Sequence, residues 1–325
     1  MRLPFDRLHE FLSQHNSIAV IGHEEPDADC LCSQLAVASL LRRSGSEPRL
    51  MSPGPFLRPE VQEYAKYFET DVEGFDTPEA ALVLDCSTLD RIGPLSKIIE
   101  ALPTAVVDHH ASGTVFGDVR VIDPGAPSVT FLIHAYMSYL GTAPTQEETL
   151  WLLFGLCTDT GYFRHLGEGS GAAFRAAADL VDAGASPKSM YRKMYGNQSF
   201  ESRRQVGRLL ARTERYFDGQ VLFTYEGIAE QVEFEGAHAD SDTVYQQLQQ
   251  VVGCRAVVFI RSEEANRQSV GLRSLTTPDV GSIARRLGGG GHANASGYTT
   301  EGSLEEARDH ILEELGLELG PGHQK

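Results

Sequence analysis

Cysteine is scarce in this chain: five residues in 325, an odd number, without the paired spacing of a zinc site. That count argues against a disulfide framework and for a reducing compartment. Long apolar runs are also missing, and no stretch approaches the ~20 residues that a membrane helix needs. The opening MRLPFDRLHEFL has neither the uninterrupted apolar stretch nor the small-residue cleavage site of a secretory signal. Cytoplasmic residence, with no membrane partner, is therefore expected. Positive charge is in short supply, with 28 Lys and Arg against 45 Asp and Glu and a formal charge of −17. Sequence-independent grip on long nucleic acid depends on neutralising many phosphates, so long duplexes are not expected as partners. A small phosphorylated ligand is still admitted, because divalent cations can invert the field of an acidic pocket. Internal repeats and low-complexity tracts are absent.

What is present is an ordinary globular composition, 41% hydrophobic and 22% charged. Its length fits two domains at about 150 residues each. The first half alternates short apolar runs with amphipathic stretches. SIAVIG (Ser17 to Gly22), AALVLD (Ala80 to Asp85) and TAVVD (Thr104 to Asp108) read as buried strands. Helices are expected from about Cys32 to Arg43, near Pro59 to Phe68, from Ser128 to Leu140 and from Thr145 to Leu156. Such alternation gives a parallel sheet flanked by helices, with ligands gathering at the carboxyl ends of its strands. The spacing predicts an α/β protein with a larger first domain over 1–186, a helical connector over 187–214 and a smaller α/β domain over 215–325.

Chemistry concentrates where these elements stop. GHEEPDAD places His23, Asp27 and Asp29 in the loop after the first strand. Asp85 ends the second apolar strand; VVDHH sets Asp108, His109 and His110 at the end of the third; LCTDTG puts Asp159 just beyond a long apolar helix. An aspartate cluster left unneutralised repels itself and resists burial, and divalent cations supply the missing charge. Four carboxylates and two imidazoles, with a third imidazole adjacent, suit manganese, with magnesium, cobalt or iron as lesser fits. Six ligands exceed what one ion with open positions needs. They fit two ions about 3.5–4 Å apart, with a bridging hydroxide as nucleophile and the metals holding phosphoryl oxygens.

A second signal lies in the C-terminal part. GLRS carries Arg273, whose planar fork suits phosphate. LGGGGHANASG carries Gly288, Gly289, Gly290 and Gly291 ahead of His292. Successive glycines let backbone N–H groups approach an anion, so a substrate loop is expected. The motif is neither a Walker loop nor a dinucleotide fingerprint. The cysteines beside the site, Cys30, Cys32, Cys86 and Cys157, are expected to pack behind it.

Taken together, the His-x3-Asp-x-Asp loop, Asp85, VVDHH and LCTDTG resemble the DHH phosphoesterase superfamily, and GLRS with GGGGH resembles its DHH-associated C-terminal domain. Length and the lack of extra domains look most like the branch of oligoribonucleases (nanoRNases) and 3′-phosphoadenosine 5′-phosphate (pAp) phosphatases. The resemblance implies that His23, Asp27 and Asp85 hold one metal and Asp29, Asp85, His109 and Asp159 the other, with Asp85 bridging. It implies His110 at the scissile phosphate, Asp108 orienting a histidine, and Arg273, Gly288 to Gly291 and His292 on the nucleotide across an interdomain cleft. Substrates would be small nucleotides and short single-stranded RNA. A cyclic-di-AMP or pApA phosphodiesterase is the near alternative, and a nucleotide-sensing binding module the alternative of another class. A homodimer is admitted, with no interface legible.

Overall fold

The computed structural model describes residues 3–70, 77–86, 88–111, 113–196, 198–233 and 241–319. They fall into two compact units, Met1–Asn197 and Gln198–Lys325. The first contains α1 (Phe5–Ser13), β1 (Ser17–Ile21), α2 (Ala28–Arg43), β2 (Glu47–Met51), β3 (Ala80–Leu84), α3 (Ser96–Ile99), β4 (Thr104–Asp108) and β5 (Val119–Ile122). It continues with α4 (Val129–Tyr139), α5 (Gln146–Asp159), α6 (Gly171–Asp182) and α7 (Pro187–Tyr195). The stretch expected as a helix near Pro59 to Phe68 is a 3₁₀ segment, Gln62–Tyr67.

Its five strands run in the order β2-β1-β3-β4-β5, all parallel. Every residue of β3 and β4 is buried, as expected for parallel strands covered on both faces. Alternate residues divide between two cores. Ile18, Val20, Leu82, Leu84, Ala105 and Val107 join α1, α2, α4 and α5. Ala19, Ile21, Ala81, Val83 and Val106 join Ile92, Leu95 and Ile99 on the other side. The strand order reverses between β1 and β3, which opens a crevice at their carboxyl ends. Asp85 directly follows β3, and Asp108 is the last residue of β4.

Two helix ends lie elsewhere than the sequence patterns predict. α2 starts at Ala28 with Asp27 as its N-cap, the carboxylate accepting from Cys30 N at 3.0 Å. Asp29 therefore sits in the first turn of a helix, not in a loop. α5 runs on to Asp159 and opens with a capping box between Thr145 and Glu148. Buried Glu148 also pairs with Arg43 at 2.8 Å, tying the start of α5 to the end of α2.

The second unit contains α8 (Phe200–Ala211), β6 (Glu214–Tyr216), β7 (Val221–Glu226), α9 (Ile228–Glu233), α10 (Ser241–Gln249), β8 (Ala256–Glu264) and β9 (Arg267–Ser274). α11 (Val280–Arg286), β10 (Gly290–His292), β11 (Ala295–Glu301) and α12 (Leu304–Leu319) complete it. The sheet order is β10-β11-β9-β8-β7-β6, antiparallel except for β7 with β8. Val258, Ile260, Val270 and Leu272 pack with α11 and α12, while Leu222, Val257 and Phe259 pack with α8 and α10. Residues 187–214, read as a connector, are shared: α7 falls in the first unit and α8 in the second. Among the described residues no helix is long and apolar enough to cross a membrane.

Candidate metal centre

The strand ends bring the residues singled out above into three overlapping groups. His23 and Asp85 lie together with Cys30; Asp85 with His109 and His110; Asp29 with His109 and Asp159. Within each group the ligand atoms are all within 4.8 Å of one another. Asp85 and His109 each belong to two groups. Asp27 is in none, yet its charge bears on His23, Asp29, Asp85 and Asp159, and Arg58 stands 3.9 Å from its outer oxygen.

Each histidine is oriented through its other ring nitrogen, the usual arrangement behind a metal ligand. His23 Nδ1 is 2.6 Å from the Glu24 carbonyl, which can only accept, so Nδ1 carries the proton. Arg91, 3.3 Å from the same nitrogen, can only donate. It therefore lies alongside without bonding, and Nε2 faces Asp85 Oδ2 at 3.5 Å with its lone pair available. His109 Nδ1 donates to the Ala126 carbonyl at 3.1 Å. Its Nε2 is turned to Asp85 at 3.6 Å and Asp159 at 3.5 Å.

Asp29 is buried against the N-terminus of α4. Its oxygens accept from Val129 N at 2.6 Å, Thr130 N at 2.9 Å and Thr130 Oγ1 at 2.5 Å. Oδ2 takes only one of these bonds and keeps a lone pair for a cation. Asp85 has no such support. Its Oδ1 is buried without a hydrogen-bond partner among the described residues, and its backbone is held at φ +57°. That conformation is uncommon for a residue with a side chain, and strain of this kind gathers at functional sites.

The pocket thus carries more negative charge than the chain neutralises. Burial, then the charges of Asp27, Asp29, Asp159 and Asp108, push Asp85 well above the carboxylate range. Burial and Asp27 raise Asp29 against its bonds from Thr130. Burial and Asp29 push Asp159 up to about 7, while burial lowers His23. An orphaned buried carboxylate oxygen among crowded carboxylates and imidazoles fits a divalent cation. Between about pH 4 and 7, folded Asp159 holds a proton that the unfolded chain releases near pH 4. Stability of the metal-free protein should therefore fall as pH rises through that window. Thermal melts in chelator should show the decline, and Asp159→Asn should make it shallower without abolishing it, because Asp85 and Asp29 are raised as well.

Asp108 has another role. Burial works to raise it, but His110 and the backbone amides of His110 and His109 prevail and hold it below the ordinary range. One oxygen, Oδ1, accepts from His109 N at 2.7 Å, His110 N at 3.2 Å and His110 Nδ1 at 2.7 Å. His110 is thereby fixed with Nε2 left for another partner.

Gly155 was not singled out from the sequence. A Cβ there would meet Thr130 Cγ2 at 2.4 Å and Asp29 Oδ1 at 3.0 Å. The bare position lets α5 lie close against α2 and α4. Gly155→Ala should cost about 1–3 kcal/mol through overpacking and weaken divalent-cation binding by displacing Asp29. Calorimetric titration beside a thermal melt would separate the two effects. Cys30 was read as packing material, and all five cysteines are buried. Its grouping with His23 and Asp85 shows that this packing reaches the site itself.

The glycine run in the second unit is less a loop than an edge. Gly290–His292 is strand β10, paired with β11. A Cβ on Gly289 would strike Gly297 O at 2.2 Å, and one on Gly291 would strike Ala295 O at 2.5 Å, so close backbone approach already explains two of the four. The register aligns His292, Ala295 and Arg273 in one row, with Gly290, Gly297 and Gly271 in the next row on the same face. Arg273 stacks on the Tyr245 ring at 4.5 Å, and its Nη1 donates to Leu272 O at 3.1 Å. A guanidinium thus borders a strip of glycines that is open at Gly290, while at Gly271 the Tyr245 hydroxyl already fills the place of a Cβ.

The family model "DHH family, N-terminal domain" matches residues 17–154, and the "DHHA1 domain" model matches residues 223–318. The bifunctional oligoribonuclease and PAP phosphatase NrnA of Thermus thermophilus is 29% identical, covering 93% of this chain and 90% of that protein. The cyclic-di-AMP phosphodiesterase PdeA of Listeria monocytogenes is 28% identical, covering 94% of this chain but 48% of its own length. An exopolyphosphatase-related protein from Bacteroides fragilis superposes with a TM-score of 0.85 at 22% identity, covering 96% of this chain and 95% of that one. That likeness is one of fold.

Proposed function

Because the chain belongs to the DHH family and carries a DHHA1 domain behind it, we propose that it is a divalent-metal-dependent phosphoesterase acting on pAp and short oligoribonucleotides. The observation that carries this reading is the convergence of His23, Asp29, Asp85, His109 and Asp159 around a buried carboxylate oxygen with no hydrogen-bond partner among the described residues. His23 and Asp85, with Asp27 beside them, would hold one cation; Asp29, Asp85, His109 and Asp159 would hold a second. Manganese is the proposed ion, on the oxygen-rich donor set with imidazole. Bound there, the cations supply positive charge for the phosphoryl oxygens and lower the pKa of water toward neutrality.

The remaining work falls to the chain. His110, steered by Asp108, presents Nε2 as the donor that protonates the departing oxygen. Thr130 and the first amides of α4 keep Asp29 from turning away. Arg273, with Gly288 to Gly291 and His292, is proposed to hold the sugar–phosphate remainder of the nucleotide, the arginine meeting a phosphate that does not react.

Saturating manganese should yield inorganic phosphate from pAp and mononucleotides from di- to pentanucleotide RNA. Purified protein that releases neither would defeat the proposal. The likeness to the Listeria phosphodiesterase supports a second reading, hydrolysis of cyclic-di-AMP or pApA. Relative kcat/KM on pAp, pApA, cyclic-di-AMP and trinucleotide RNA decides between the two.

A further inference from the structure

Beyond the cation-binding groups, one cleft at the carboxyl ends of β4 and β5 has no role in the account above. Its volume is about 250 Å³, and its lining includes His110, Val106, Phe116, Arg120, Ile122 and Pro124. The register explains the grouping. Val106 lies opposite Arg120 and Asp108 opposite Ile122, while Val119 and Val121 turn into the core. Phe116 and Ile122 are half-buried against the core built on Val83 and Val106, so the ring is anchored with part of its surface open. Arg120 is exposed and has no carboxylate partner among the described residues.

We propose that this cleft receives the nucleobase of the leaving nucleoside. The inference rests on the phosphoesterase reading and adds to it a determinant of substrate choice. His110 forms one wall, its Nδ1 bound to Asp108. Its Nε2 serves the departing oxygen, so whatever that oxygen carries lies beside the same wall. An aromatic ring, aliphatic neighbours and a free guanidinium suit a flat heterocycle: the base stacks on Phe116, and Arg120 bonds its acceptor edge or lies over its face. The cleft is slightly below the ~300 Å³ at which small-ligand pockets begin. It holds one base and not a second nucleotide.

The test compares pAp with the abasic ribose 3′,5′-bisphosphate, whose leaving group lacks only the base. The wild-type protein should prefer pAp. Phe116→Ala should lower that preference roughly 10-fold and leave the abasic substrate within about twofold of wild type. Val115→Trp, at a cleft residue that is 76% exposed, should obstruct the base with the same selectivity, and it guards against misfolding of the first variant. In metal-free protein, 2-aminopurine riboside should be quenched by wild type and not by Phe116→Ala. Equal losses on both substrates, no loss on either, or no quenching by wild type would each overturn the proposal. A wild-type protein that hydrolyses neither bisphosphate would instead defeat the parent reading.

Discussion

Replacing Asp85 by asparagine should yield a protein that melts higher than its parent without metal and has lost its turnover. Both effects have one source. Asp85 is buried, opposed by the charges of four other carboxylates and short of a hydrogen-bond partner for Oδ1. Asparagine spares the fold the cost of burying or protonating a carboxylate there, keeps the shape and tolerates the positive φ that the position imposes. The gain should be about 1–3 kcal/mol, which for a unit of this size is roughly 2–12 °C in Tm. Turnover should fall by about 10³-fold or more, since removing even one oxyanion donor elsewhere costs 10²–10³ and here both cation groups lose a shared oxygen. Adding manganese should reverse the order of the melts, because a ligand that binds only the folded state stabilises it. Melts with chelator and with manganese, run beside phosphate release from pAp, test the pair of effects. A variant that melts lower than its parent in chelator would show that Asp85 is not the strained member of the cluster.

His110→Ala should separate substrates by leaving group. General acid catalysis contributes about 10²–10⁴-fold, and it matters most where the departing oxygen is strongly basic. Hydrolysis of pAp should therefore fall by roughly 10²-fold or more, while a p-nitrophenyl ester, whose leaving group departs unprotonated, should lose much less. Asp108→Asn should follow the same pattern at about 10–100-fold, the range for a residue that orients another. Equal losses on both esters would remove His110 from proton transfer and leave it a binding residue.

The sequence made parts of this architecture plain and hid others for physical reasons. β1, β3 and β4 were legible because they are buried on both faces and read as unbroken apolar runs; their ends located His23, Asp85, Asp108 and His109. β2 and β5 were not. β2 is an edge strand with Pro48 and Arg49, and β5 has four residues with an exposed arginine in the middle. The start of α2 lies earlier than its pattern suggests because Asp29, a buried carboxylate where an apolar residue would be expected, masks the first turn. Its reason for being there is Thr130, 101 positions further along, and spacing cannot reveal such a partner. Gly155 was missed on similar grounds. The glycine run stands out in the sequence, yet two of its members serve close packing of backbone on backbone, a need indistinguishable in sequence from anion binding.

The crevice between β1 and β3 has a consequence for biosynthesis. The residues that gather there enter the chain from His23 to Asp159, and the last stands at the far end of α5. A chain still emerging from the ribosome therefore presents an incomplete cage until about half its length is out. On the proposed reading, cation capture would wait until α5 docks on α2, so an early-terminated product ending before that helix would retain the acidic loop without the means to neutralise it.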